Sequence, residues 1–397
     1  MNPFRLVAPA GAPVPVSSVL PAFVERAGEA PPLSEFRERL GVRSLSLVSS
    51  GRAALTILLQ AMQEGSERRE VIVPAYTCFS VPSAVARAGL TVRLCDVDPE
   101  TLDLDLNALV RLDLTRALCI VPSGLYGLPG DLSEMELIAR AFGVFLIDDA
   151  AQCLGATKGT RQCGTFGDAG FYSLGRGKGV TTMGGGILVT DRADLAPRIE
   201  AHVARLRRPS APEVGVAIAS SLLYSVMLGP SRYWLVDRIP FLDLGGSHFE
   251  TDFPMAQLSA YQARLAERVL PLVDTYNEIR REHAEHLRLG LEDLDGIALP
   301  TAVPGTSPVY LRFPILVRDS AQRTVLLARL REAGIGASAS YPSPVGDIPG
   351  ITPYLAPDQD HCPVASSIAA RIMTLPTHPW VTRRDVEMMV AIIRQAA

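Results

Sequence analysis

The chain has 397 residues, 48% of them hydrophobic, a formal net charge of −4 and a sequence pI near 5.9. That length is enough for more than one domain, and the lack of any basic block excludes nucleic acid as a main partner. Six cysteines with no Cys-x-x-Cys and no metal-ligand spacing exclude a disulfide framework and give no metal site, so a reducing cytoplasm is expected.

Short apolar runs alternate with helical periodicity through the first half. Residues 44–48, 71–73, 92–95, 118–121 and 144–147 are predicted as buried strands, and 52–62, 82–88, 106–112 and 133–142 as helices between them. Strands apolar on both faces and separated by helices imply an α/β fold, with a mostly parallel sheet flanked by helices. Ligands of such sheets bind beyond the carboxyl ends of the strands. After about residue 200 the pattern changes. A basic helical stretch (202–208) precedes residues 214–229, which carry no charge, and Tyr233, Trp234 and Phe241 follow. Sixteen uncharged residues fall short of the roughly 20 that span a bilayer, so a helix buried in a core or subunit interface is expected. Shallow docking at a membrane surface is the alternative. A long helical pattern over 255–294 should be kinked or divided at Pro271. Strand-like runs at 310–317 and 371–375, with helices at 321–333 and 383–393, read as a smaller α+β domain. The expected division is 1–255, carrying an N-terminal segment and an apolar insertion at about 209–250, and 256–397. The N-terminus shows no basic segment leading into an apolar stretch, so no signal peptide is expected.

Lysine is almost absent: of 38 basic residues only Lys158 and Lys178 are lysines. Lys178 lies in Gly175-Arg176-Gly177-Lys178-Gly179, between a strand-like run at Phe171 and another at Ile187. A lysine kept against that background points to a use for its amine, because arginine is never nucleophilic and cannot form a Schiff base. The plainer reading is a surface lysine in a flexible loop. Lys158, in Ala156-Thr157-Lys158-Gly159, reads as an exposed turn residue. The strand over 144–147 runs into Asp148-Asp149-Ala150-Ala151-Gln152, which sets a carboxylate over the cleft or else caps the next helix. The pleat sends the two aspartates apart, so one of them should enter the site. Ser50-Gly51-Arg52 follows a strand and opens a helix, where small residues let a phosphate reach backbone N–H groups at the positive helix end. Ser173 adds a hydroxyl. A phosphate cradle, then a carboxylate, then a lysine in a glycine-rich loop is the set that holds pyridoxal phosphate.

With Ser50-Gly51-Arg52-Ala53-Ala54-Leu55, Pro74-Ala75-Tyr76-Thr77, Cys95-Asp96-Val97-Asp98-Pro99, Leu125-Tyr126-Gly127-Leu128-Pro129, Asp148-Asp149-Ala150-Ala151-Gln152, the Lys178 loop and Thr374-Leu375-Pro376-Thr377-His378-Pro379, the chain resembles the DegT/DnrJ/StrS-type sugar aminotransferases from about Leu45 onward. The resemblance implies the fold type I architecture of pyridoxal-phosphate enzymes and a homodimer with active sites at its interface. It makes Lys178 the Schiff-base lysine and Asp149 the partner of the pyridine nitrogen. Gln152 would lie against the ring or its 3-hydroxyl, and Ser50, Gly51, Arg52 and Ser173 would surround the phosphate. The implied reaction moves an amino group from an amino-acid donor, glutamate in the family, to a keto substrate. Lysine, where the family's dehydratase branch has histidine, favours transamination.

Several positions depart from the family pattern. Cys78 stands where an aromatic residue usually stacks on the ring, with Tyr76 and Phe79 as substitutes. Gly124 replaces a histidine before Leu125-Tyr126-Gly127, Asp252-Phe253-Pro254-Met255 replaces Asn-x-Arg-Met, and Ser340-Tyr341-Pro342 replaces a His-Tyr motif. Tyr76, Tyr126 and Tyr341 are the expected substrate contacts. Loss of polar groups suggests a less polar or carrier-attached keto compound beside the nucleotide-linked keto-sugar as acceptor. The rivals are another pyridoxal-phosphate reaction such as elimination, a non-catalytic relative that binds a nucleotide sugar or a partner protein, and an ordinary nucleotide-binding α/β protein.

Overall fold

A computed structural model describes residues 4–24, 33–237 and 248–396; Phe241 lies outside them. Its strands are β1 (Ser44–Val48), β2 (Glu70–Pro74), β3 (Thr91–Cys95), β4 (Ala117–Ile120), β5 (Phe145–Asp149), β6 (Thr157–Lys158), β7 (Arg161–Gln162), β8 (Ala169–Ser173), β9 (Gly186–Thr190), β10 (Thr306–Ser307), β11 (Phe313–Leu316) and β12 (Ile372–Leu375). Seven of them form one sheet in the order β1-β9-β8-β5-β4-β2-β3. β9 pairs antiparallel with both its neighbours, and all the other pairs are parallel. The carboxyl ends of β1, β2, β4, β5 and β8 therefore share one edge, and the β8–β9 connection that carries Lys178 turns at that same edge.

The pleat divides the core. Val71, Val73, Ile147, Phe171 and Leu188 pack with the helices Gly51–Gln63 and Ser80–Arg87 on one face. Ile72, Leu146, Tyr172, Ile187 and Val189 pack with Leu132–Phe142 and Ala260–Val269 on the other. Both faces are covered, which is why these strands carry no alternation of apolar and polar residues. Each fully buried aliphatic side chain contributes about 1.5–3 kcal/mol. A third cluster joins Val7, Ala284, Leu287, Phe313, Ile315, Leu326, Leu330, Met373, Leu375, Met389 and Ile393, where β11 and β12 pair beneath the helices Val273–Leu291, Ser320–Glu332 and Arg383–Arg394.

Pro271 divides the long helical pattern into Ala260–Val269, a 3-10 turn and Val273–Leu291. Three expectations change. The strand expected at 310–317 starts only at Phe313, because Tyr310 adopts a positive φ of 44° that no extended strand accommodates. The basic stretch 202–208 leaves the helix Ala196–Ala204 at Arg205, and Arg207 bridges to Ala256 instead. The uncharged segment forms the helix Ala211–Met227, but it lies on the surface rather than in the core. One side meets the helices Val16–Val24 and Ala260–Val269, while Val216 and Leu223 stay 66% and 60% exposed. Among the described residues no helix is long and apolar enough to cross a membrane.

Candidate active site

Five strand ends and one loop deliver side chains to a cleft of about 150 Å³. Ser50, Gly51 and Arg52 come from the end of β1, Thr77 and Cys78 from beyond β2, Ser123 and Gly124 from beyond β4. Asp149 and Gln152 come from β5, Ser173 from β8, and Lys178 from the loop that follows it.

Ser50 is the N-cap of the helix Gly51–Gln63. Its Oγ accepts from the Ala53 N–H at 3.1 Å, so the Gly51 and Arg52 N–H groups are the ones left at the helix end. Gly51 is needed for space, since a Cβ there would sit 3.1 Å from Ser173 Cβ. The Arg52 side chain turns away from this point, pairing with Glu250 at 3.0 Å and lying 4.8 Å over the Phe253 ring. Phe253 belongs to the divergent 252–255 stretch, which here serves to seat that guanidinium.

The adjacent aspartates separate as the pleat requires. Asp148 is buried, and its Oδ2 accepts from the Gly164 and Phe166 N–H groups, pinning the loop that leads into β8. Asp149 opens into the cleft. Its Oδ1 accepts from the Ala151 N–H at 3.0 Å, and its Oδ2 has no hydrogen bond among the described residues. Burial pushes the Asp149 carboxyl up to about 6, against the pull of the Ala151 N–H and of Lys178. Burial likewise lowers the Lys178 pKa, with Cys78 and Asp149 opposing the shift. Lys178 and Asp149 face the same cleft without forming an ion pair.

Gln152 is held at both ends of its amide. Oε1 accepts from the Tyr126 N–H at 3.1 Å, and Nε2 donates to Tyr341 Oη at 3.2 Å. Tyr76, Tyr126 and Phe79 do not line the cleft but lie behind it. Tyr126 Oη meets Ser340 Oγ at 2.5 Å and Tyr76 Oη at 3.4 Å, and Tyr76 Oη donates to the Tyr341 carbonyl at 3.3 Å. Buried hydroxyls need such partners, and these partners turn both tyrosines inward. Tyr341 packs on this cluster, its ring 5.9 Å from Tyr76 and 6.1 Å from Phe79. Cys78 itself faces the cleft. Lys158 is no exposed turn residue: it lies in β6 and forms an ion pair with Asp131.

The residues fit pyridoxal phosphate: a glycine-cleared helix end with the Ser173 hydroxyl beside it, a carboxylate with an open oxygen, and an amine that makes no hydrogen bond or ion pair among the described residues. The aminotransferase model described as "DegT/DnrJ/EryC1/StrS aminotransferase family" matches residues 34–215 and 248–394. The chain belongs to the DegT/DnrJ/EryC1/StrS family. The erythromycin biosynthesis sensory transduction protein EryC1 of Saccharopolyspora erythraea is 30% identical, over 88% of this chain and 85% of that one. A UDP-N-acetyl-3-dehydro-alpha-D-glucosamine 3-aminotransferase of Acidithiobacillus ferrooxidans is 28% identical, over 87% and 82%. The solved structure of DesV from S. venezuelae is 25% identical, with a TM-score of 0.75 over 96% of this chain and 93% of that one. The fold is that of the pyridoxal-phosphate-dependent aminotransferases, and like other members of the DegT/DnrJ/EryC1/StrS family the protein is such an enzyme, with pyridoxal phosphate as its cofactor.

Sequence reasoning placed Thr77 at the strand end that walls the acceptor but missed Ser123, whose Oγ accepts from Thr77 Oγ1 at 2.9 Å on the cleft wall. Ser123 follows the carboxyl end of β4, so the strand-end argument that found Asp149 also reaches it.

Proposed function

We propose that the enzyme transfers the amino group of an amino acid, glutamate by family resemblance, to the keto carbon of a nucleotide-linked sugar. The observation that carries the reading is the meeting, in one cleft beside a bare helix end, of a lysine and a carboxylate oxygen that are unpaired among the described residues. Family membership supports the keto-sugar, because relatives bear names such as UDP-N-acetyl-3-dehydro-alpha-D-glucosamine 3-aminotransferase and dTDP-3-amino-3,4,6-trideoxy-alpha-D-glucose transaminase.

The Gly51 and Arg52 N–H groups and the Ser173 hydroxyl bind the phosphate, where the helix end favours negative charge. Asp149 holds a proton at the ring nitrogen. Bound pyridoxal phosphate supplies a ring that withdraws the electron pair left when a bond at the donor's α-carbon breaks. Lys178 Nζ takes the proton from that α-carbon, and its lowered pKa keeps more of the amine neutral and able to do so. In the second half-reaction the same amine returns a proton to the carbon of the aminated acceptor. Gln152, fixed by Tyr126 and Tyr341, sets the position of the ring, and Cys78 takes the place beside it.

The division into a domain of residues 1–255 and one of 256–397, a homodimer and a cytoplasmic location belong to the same proposal. The test is the visible absorbance of protein loaded with pyridoxal phosphate, before and after glutamate, beside Lys178→Ala, followed by mass spectrometry with UDP- and dTDP-linked keto-sugars. A Lys178-dependent band that glutamate bleaches, and an amino-sugar product, are expected. A band that no amino donor changes would replace transamination by another reaction, and turnover confined to uncharged keto compounds would overturn the acceptor.

A further inference from the structure

Two stretches without charge, far apart in the sequence, are folded against each other. One residue in five of the chain is charged, yet residues 6–24 and 214–231 carry none. The helix Val16–Val24 from the first stretch meets the helix Ala211–Met227 from the second, and both also meet Ala260–Val269. Their inner sides, with Val19 and Ala22 from one and Ile218 from the other, join the core. The sides turned away from Ala260–Val269 face solvent together. Leu20, Phe23 and Val24, which are 52%, 58% and 75% exposed, lie on that side of the first helix, and Val216, Leu223 and Val226 on that side of the second. Residues 6–24 and 216–231 also fall outside the stretches 34–215 and 248–394 that carry the family likeness, so the shared chemistry does not account for them.

The edges of this face are cationic. Arg264 Nε donates to the Ala22 carbonyl at 2.8 Å and Arg232 Nη1 to the Val226 carbonyl at 2.9 Å, which sets a guanidinium near the C-terminal end of each helix. Arg208 stands exposed just before the second helix, where the acid Glu213 is already taken by Arg207 at 2.7 Å. Contiguous apolar surface with a polar rim marks a protein or membrane contact. An apolar face edged by arginines matches the layering of an anionic bilayer, with acyl chains beneath phosphates. A second copy of this chain would offer the same face, arginines at its edges and no carboxylate in either stretch to receive them.

We propose that the face formed by the helices Val16–Val24 and Ala211–Met227 docks the enzyme on the surface of an anionic lipid bilayer. Leu20, Phe23 and Leu223 enter the acyl boundary while Arg208 and Arg232 stay at the phosphates. The docking is peripheral, since among the described residues no helix is long and apolar enough to cross a membrane. It rests on this surface alone and holds whichever acceptor the enzyme uses. The face also lies close to the site. Tyr224 Oη accepts from the Ala12 N–H at 3.5 Å, and Ala10 Cβ lies 3.6 Å from where a Cβ of Gly177 would stand. A single pass of chain therefore separates the docking helix from the Lys178 loop.

The experiment is flotation of the protein, loaded with pyridoxal phosphate, with two kinds of vesicle: phosphatidylcholine alone, and an equal mixture of phosphatidylcholine and phosphatidylglycerol. Wild type should float with the mixed vesicles at low salt, and less so as salt is raised. The pair Phe23→Glu with Leu223→Glu should weaken that binding about 30-fold or more, and the uncharged pair Leu20→Ser with Val216→Ser about tenfold. Arg208→Gln should weaken it about fivefold on the mixed vesicles only. All four residues of the two pairs are exposed, so melting temperature and the Lys178-dependent absorbance should match wild type; the serine pair decides the case should the glutamates lower the melting temperature. Wild type that stays free of the mixed vesicles at low salt would overturn the proposal, as would binding that both pairs leave intact. A dimer seen by light scattering that the glutamate pair abolishes, with no vesicle binding by wild type, would give the face to a second copy instead.

Discussion

Asp148→Asn tests whether the buried carboxylate behind the site is a structural cost that grows with pH. Burial pushes the Asp148 carboxyl up to about 7, with Asp149 nearby adding to the rise and the Gly164 and Phe166 N–H groups opposing it. In the unfolded chain the same group ionises near 3.9. Between those values the unfolded chain has released its proton and the folded one still holds it. The stability Asp148 contributes is therefore full below about pH 4 and is lost as the pH rises through 7. Between pH 5 and pH 8 that loss comes to about 2–3 kcal/mol, at about 1.4 kcal/mol per tenfold step. Asparagine has the same shape, does not titrate, and keeps a carbonyl oxygen for the two N–H donors. Relative to wild type, the variant should gain about 2–3 kcal/mol between the two pH values. Urea unfolding of both proteins, stripped of cofactor so that ligand binding adds nothing, measures this as a difference of differences. A gap that stays constant within about 0.5 kcal/mol would refute the reasoning. A change of opposite sign would mean that the two N–H bonds outweigh burial and hold the carboxylate ionised.

Gly51→Val would fill the space between the helix end and Ser173, so pyridoxal phosphate affinity should fall about 10- to 100-fold in a fluorescence titration while the fold survives. Arg52→Met should change that affinity less than about threefold, because the side chain is engaged with Glu250 and Phe253 and only the backbone N–H serves the phosphate. A loss as large as that of Gly51→Val would place the guanidinium on the phosphate after all. Tyr126→Phe leaves the Ser340 hydroxyl without its buried partner, and urea unfolding should show a loss of about 1–3 kcal/mol.

The chemistry carried by short stretches was legible in the sequence by itself. Lys178 stood out through lysine scarcity and its glycine setting, and Asp149 through its place at the end of an apolar run. Ser50-Gly51-Arg52 stood out as a strand-to-helix junction. Strand order is not local, yet apolar runs separated by helices were enough to imply the parallel sheet, because only a sheet covered on both faces needs such strands. The tertiary structure decided what depends on partners distant in sequence. Tyr76 and Tyr126 read as walls of the substrate site, but Ser340 and the Tyr341 carbonyl draw their hydroxyls inward. Arg52 read as one of the residues that hold the phosphate, and the structure gives its side chain to Glu250 and Phe253, leaving the backbone N–H at the helix end. Lys158 read as solvated until Asp131 met it. Residue type and strand-end position are properties of a short segment, whereas hydrogen-bond satisfaction belongs to the packed whole.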